Sequence, residues 1–219
     1  MAAPDTTHDA PRQRILDAAL ELLAEHGYEG MSLQQVADGV ALHKSSLFHH
    51  FKSKEELARE VYRGISERLL KRIEPLLAED PPRVEALVAA LDASVEHFAE
   101  EPAAARLLLR LMVTSDNGAP GGPFSSRPGE VDGIGLVLQS VGSWLARARR
   151  AGVIRWVPVR HTVMNLMGLS LFYPAVLHHI PRRLLDSDPG TPENLERRKS
   201  ELRAFLRGAL AIEDPSLER

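Results

Sequence analysis

SLQQVADGVALHKSSLFHHFKSKEEL, residues Ser32–Leu57, holds two helix-start signals with two short helices between them. Ser32-Leu33-Gln34-Gln35 has the capping-box form: the serine hydroxyl can accept from the amide three residues on, while the glutamine reaches back. Leu33, Val36 and Ala37 supply the inward face of the first short helix. A turn over Gly39–Leu42 follows, and a second short helix starts near His43, with Leu47 and Phe51 about one turn apart on its inner side. Ser53-Lys54-Glu55-Glu56 repeats the capping-box form and launches a long helix. Leu57, Val61, Ile65, Leu69 and Ile73 recur every fourth residue along it, and Pro75 is expected to kink or end it. Upstream, a helix opens at Pro11, carries Ile15, Leu16, Ala19, Leu22 and Leu23 as an apolar stripe, and stops at Gly27.

The rest of the chain continues in helical periodicity. Val84–Glu100 and Pro102–Thr114 read as amphipathic helices, and Ser115–Gly129, rich in glycine and proline, as a long irregular loop. A helix from about Glu130 to Arg150 ends at Gly152, and an apolar helix runs from about Pro158 to Ile180. Thr191-Pro192 caps a last helix carrying Leu195, Leu202, Phe205, Leu206 and Leu210. Strand-like alternation and repeats are absent, so the predicted class is all-α with about nine helices. Three parts are expected: a loose arm over 1–9, a helix-turn-helix domain over 10–56, and a larger helical domain over 57–219.

Composition narrows the function. With 219 residues and 44% hydrophobic content, the chain can bury a substantial core. Its net charge of −3 argues against coating nucleic acid by bulk electrostatics, so DNA contact has to come from a local patch. Between Ser32 and Lys54, the bases Lys44, Lys52 and Lys54 face only the acid Asp38. Cysteine is absent, which excludes disulfides and thiolate metal sites and suits a reducing cytoplasm. No secretory signal opens the sequence. The apolar run Val163–Leu177 is interrupted by Asn165, Ser170 and Pro174 and is too short to cross a bilayer comfortably, so no membrane partner is expected. A nucleophile elbow, a dinucleotide fingerprint, a P-loop and a zinc-protease motif are all missing, and no enzymatic activity is expected. Adjacent histidines on a helix point about 100° apart, so neither His49-His50 nor His178-His179 suits a metal, and no cofactor is expected. Arg106 and Arg110 read as a solvent face whose stems lie along a leucine-rich helix.

Two short helices with a tight turn, flanked by supporting helices, suit a tri-helical DNA reader. Such a reader needs an apolar underside, here Leu33, Val36, Ala37, Leu42, Leu47 and Phe51. It also needs a polar upper face able to enter the major groove, here His43, Lys44, Ser45, Ser46, Phe48 and His49. Lys44 and Ser46 can reach base edges or phosphates.

At these residues the sequence resembles the DNA-binding domain of the TetR family of bacterial regulators. The matching pattern is Ser32, Val36-Ala37, Lys44, Leu47-Phe48, His50-Phe51 and Ser53-Lys54-Glu55 through Leu57, and the likeness runs from about Gln13 to Tyr62. The resemblance implies that Gln34 and Lys44 touch bases, with Ser45 and Ser46 close by, while Phe48, His50 and Lys54 hold the phosphate backbone. The expected DNA-facing set is therefore Ser32, Gln34, His43, Lys44, Ser45, Ser46, Phe48, His49, His50 and Lys54. Three positions depart from the family pattern. Ala41 stands for the usual turn glycine, so the turn is expected to form without a positive φ and under some strain. His43 replaces a capping Ser or Thr, and Phe48 replaces a Tyr whose hydroxyl would bond phosphate.

The helix around Met164–Leu177 is apolar on all sides, so both sides should be buried. One side reads as core and the other as a dimer seam shared with the last helix, through Met167, Leu171, Leu202, Phe205 and Leu206. Phe98, Met112, Trp144, Asn165 and Phe172 are the candidate lining of an effector pocket. The implied partners are a double-stranded DNA operator with an inverted repeat, a second copy of the chain, and a small-molecule effector. A ligand-sequestering or protein-binding module that has lost DNA binding is the alternative, suggested by Ala41, His43 and Phe48.

Overall fold

A computed structural model describes residues 6–113, 133–176 and 191–211. The expected loop Ser115–Gly129, the start of a helix at Glu130, and His178-His179 lie outside the described residues. Among those described, the structure contains nine helices and no strand: α1 (Thr6–Gly30), α2 (Leu33–Gly39), α3 (Lys44–His50), α4 (Lys54–Leu77), α5 (Val84–Glu100), α6 (Pro102–Val113), α7 (Ile134–Arg150), α8 (Val159–Val176) and α9 (Pro192–Leu210).

The helix ends follow from local chemistry, with a few departures. α1 begins at Thr6, ahead of Pro11 and inside the segment expected to be an arm, and its backbone breaks at Gly27, where φ is 73°. Ser32 forms the full capping box with Gln35. The second box is altered: Ser53 Oγ accepts from the Glu56 amide at 3.0 Å, but the Glu56 carboxylate accepts from Lys52 N–H rather than from Ser53. Pro75 does not stop α4, which continues to Leu77, because a proline there falls within the last turn. Thr191 caps α9 through the Asn194 amide, with Pro192 at its first position.

The chain gathers into two compact units, and the division falls inside α4 rather than at its start. The first unit holds α1 to α3, α4 up to Ser66, and α6 from Arg106. Its core is Ile15, Ala19, Leu23, Val36, Ala37, Leu47, Phe51, Leu57, Val61 and Ile65. Arg106 donates to Glu21 and Arg110 to the carbonyls of Glu25 and His26, so these arginines tie α6 to α1 instead of forming a bare solvent face.

The second unit holds the remainder of α4, α5, the start of α6, and α7 to α9. Here α5 packs on both α8 and α9. Arginines close two helix ends: Arg147 donates to the carbonyl of Leu77, the last residue of α4, and Arg155 donates to Ala209 near the end of α9. Positive charge at a helix C-terminus satisfies orphan carbonyls and opposes the negative end of the helix dipole. Lys199 is buried on α9 between Glu96 and Glu196. Burial alone would disfavour its ammonium, yet hydrogen bonds to the two carboxylates hold its pKa above the ordinary lysine value. Arg203 pairs with Asp92 beside it, giving the α5–α9 packing a second charged tie.

Candidate nucleic-acid interface

The geometry of α2 and α3 is set from below. Val36, Ala37, Leu47 and Phe51 have no solvent exposure, while Leu33 and Leu42 at the edge are half-buried. The turn between the helices is closed by Leu42 N–H to the Ala37 carbonyl at 2.9 Å. Ala41 occupies that turn with φ 56°. The expectation that the turn would avoid a positive φ is thus corrected: the alanine takes up the left-handed backbone itself, and carries the strain there.

With Leu47 and Phe51 inward, the opposite face of α3 is presented to solvent. His43, Lys44, Ser45 and His49 are exposed, Ser46 and His50 are half-buried, and Phe48 keeps 45% of its surface accessible. An apolar ring that open on a short helix suits a surface that meets a partner. His43 occupies the N-cap position without a side-chain cap, so the first amides of α3 keep free donors. On α2, exposed Gln34 donates to Asp38 at 2.8 Å, a bond its amide would have to give up to reach a base edge. Ser32 is exposed and already engaged in its capping box.

Lys54 behaves differently from the other cations. Its ammonium donates to the Glu29 carbonyl at 3.3 Å and lies 4.5 Å from the centre of the Tyr28 ring. It therefore ties the start of α4 to the end of α1. Neither partner is distinctive in the sequence, which is why that reading had no signal for this role. Burial, then Glu55 and Glu29, push the Tyr28 phenol above its ordinary pKa. Arg12 was also missed. It sits 5.0 Å over the Phe51 ring and donates to Glu60, which Arg63 also engages, so one carboxylate joins α1 to α4 beneath the reader.

The sequence profile of the bacterial regulatory proteins of the tetR family matches residues 15–61, the stretch that builds this reader. Over residues 15–61 the chain carries a DNA-binding domain of the TetR family. Relatives agree. The HTH-type transcriptional regulator YerO of Bacillus subtilis is 30% identical over 161 residues, covering 71% of this chain and 55% of its own. The chain spans about half the length of the curated relatives it matches. Among solved TetR-like folds, the ketosteroid transcriptional regulator KstR2 of Mycobacterium tuberculosis superposes with a TM-score of 0.70 at 19% identity, covering 94% of this chain and 97% of that one. AibR, solved with isovaleryl coenzyme A and operator DNA, gives 0.66 at 17% identity, covering 89% and 97%.

The candidates in the second unit of this chain separate by exposure. Phe98 and Trp144 are buried, and the Trp144 indole N–H has no hydrogen-bond partner among the described residues. Met112, in the first unit, is half-buried. Asn165 and Phe172 point outward from α8, so the five residues named as pocket lining are not brought together in one interior. Among the seam candidates, Leu171, Leu202 and Leu206 are already covered within the single chain, and Met167 is half-buried. Phe205 is 60% exposed, and on α8 Phe172 and Met164 are 59% and 54% exposed. Gly168 lies between those two at four-residue spacing, and a β-carbon added there would meet none of the described atoms within 4 Å beyond its own helix backbone. No helix among the described residues is long and apolar enough to cross a membrane, and none of their His, Asp or Glu groups forms a metal-holding cluster.

Proposed function

We propose that this protein is a cytoplasmic, homodimeric transcriptional repressor that binds an inverted-repeat operator and releases it when a small-molecule effector binds. The observation that carries the reading is the exposed face of α3, where Lys44 and Ser45 stand beside half-exposed Phe48 over the buried Val36, Ala37, Leu47 and Phe51. Gln34 and Lys44 contact bases, with Ser45 and Ser46 beside them. His43, His49 and the α2 cap residue Ser32 lie beside them, and Phe48, His50 and Lys54 serve the phosphate backbone. Two such readers, about 34–36 Å apart across a two-fold axis, would address successive major grooves. The exposed apolar residues Met164, Phe172 and Phe205 support a seam between copies, because a helix face this apolar is rarely left in water.

The protein acts by binding rather than by catalysis. An effector shifts the operator equilibrium only through a preference for the off-DNA conformation. Isovaleryl coenzyme A on AibR and the ketosteroid label of KstR2 favour an acyl or polycyclic effector for this chain as well. The test is selection of bound duplexes from a random DNA pool with the purified protein. Enrichment of an inverted repeat supports the reading. A folded dimer that enriches nothing, with and without extensive dialysis, would move the protein to the sequestering class.

A further inference from the structure

His97 has no solvent exposure, and neither ring nitrogen has a hydrogen-bond partner among the described residues. Such a group is uncommon, because a buried polar atom without a partner forfeits its hydration for nothing in return. Its surroundings are charged. Arg68 grips Glu101 through two bonds, Nε to Oε1 at 2.9 Å and Nη2 to Oε2 at 2.6 Å. One turn along α4, Arg72 donates to Glu100. These two ion pairs clamp the middle of α4 to the junction of α5 and α6. His97 Nδ1 lies 3.9 Å from Glu101 Oε1, the oxygen that Arg68 Nε already occupies.

We propose that His97 is an acid-operated release for this clamp, and that its protonation frees α4 and lowers DNA affinity. The proposal rests on the repressor reading for its last step only. The charged groups facing His97 are Glu100 and Glu101 at the end of its own helix and Arg68 and Arg72 on α4. A proton on the ring creates a third cation among two arginines and two carboxylates. To meet Nδ1 across 3.9 Å the Glu101 carboxylate has to shift from the position in which Arg68 holds both its oxygens, and that movement loosens the bidentate pair. Burial first, and then the two arginines, hold the imidazole pKa below its ordinary value against the pull of Glu101 and Glu100, so the clamp is closed at neutral pH. The helix it restrains is the one that begins at the reader: α4 is continuous from Lys54 to Leu77.

The test uses the full-length dimer and His97→Gln, which keeps a polar side chain of similar size and cannot titrate. Hydrogen exchange of amides in 66–74 and 97–104, corrected for the intrinsic pH dependence, is followed from pH 7.5 to 5. In the parent protein the opening constant should rise as pH falls below the ordinary histidine range, by up to about tenfold per pH unit. In His97→Gln it should stay level. If His97→Gln does not fold, Arg68→Met is read instead, and should show at pH 7.5 the exchange that the parent shows only in acid. Equal pH dependence in parent and His97→Gln, or unchanged exchange in Arg68→Met, overturns the proposal.

The second readout is affinity for a duplex recovered from the random pool. The other histidines are the same in both proteins, so the difference between parent and variant isolates His97. A larger acid loss in the parent supports the coupling. Clamp opening without that difference overturns the coupling to DNA. Failure to recover any duplex would sink the repressor reading, while the exchange data would still decide the clamp.

Discussion

Replacing Ala41 by glycine should stabilise this protein. Ala41 holds φ at 56°, the left-handed region, in the turn that aims α3. For an L-residue with a β-carbon that conformation costs about 1–2 kcal/mol, through the close approach of the β-carbon and the carbonyl oxygen. Glycine removes the contact but loosens the unfolded chain, which returns about 0.4–1 kcal/mol. The side chain is exposed, so its loss forfeits no packing, and the bond from the residue-41 amide to the Asp38 carbonyl is retained. The net gain is about 0.5–1 kcal/mol, corresponding to about 1–4 °C in Tm for a chain of this size. Ala41→Val should move the other way, because a β-branched residue tolerates this region less well. Urea midpoints of parent and both variants, at one protein concentration because self-association would be linked to folding, give the answer. A midpoint that falls in Ala41→Gly, or an unchanged one in Ala41→Val, would refute the strained-turn argument.

Three further outcomes are expected. Lys44→Ala should lose about 1–3 kcal/mol on the selected operator and little on random duplex, whereas Lys54→Met should weaken both and lower the salt slope by about one unit; normal binding by both in an anisotropy titration would discard the contact assignment. Phe172→Glu combined with Phe205→Glu should convert the dimer to folded monomer in sedimentation, since both rings are exposed in the single chain, while Leu202→Ala should cost about 2–5 kcal/mol of stability because Leu202 is already covered. Burial opposes ionisation of Glu60, yet its bonds to Arg12 and Arg63 keep its pKa below the ordinary carboxylate value. Its contribution is therefore complete above the unfolded pKa and is lost as pH falls through the lower folded value. With Arg12 and Arg63 partly exposed, Glu60→Gln should cost only about 1 kcal/mol at pH 7 and nothing at low pH, as read from paired urea titrations.

The reader was largely legible in the sequence because its determinants are local. The capping box at Ser32, the serine cap at Ser53, the inward spacing of Val36, Leu47 and Phe51, and the four-residue stripe from Leu57 to Ile73 act within one or two turns, and each appears in the structure where its spacing placed it. The missing glycine at position 41 was equally visible, but its consequence was not. Whether an alanine avoids or accepts a positive φ depends on the fixed separation of the two helices it joins.

What the sequence by itself determined is the helical class, the capped starts of α2, α4 and α9 and the polar face of α3, all products of backbone hydrogen bonding and short-range hydrophobic period. The tertiary structure alone decided which apolar residues are spare. Leu171, Leu202 and Leu206 find cover inside the chain, whereas Phe172 and Phe205, equally apolar, do not. It also decided the partners of long charged side chains: Arg12 with Glu60, Arg68 with Glu101, Lys199 with Glu96, and Lys54 over Tyr28. Such pairs join residues far apart in sequence through flexible stems that leave no periodic trace. His97 gave no sequence signal for the same reason. A histidine on an amphipathic helix looks ordinary until the helices around it remove its water and set two arginines and two glutamates beside it.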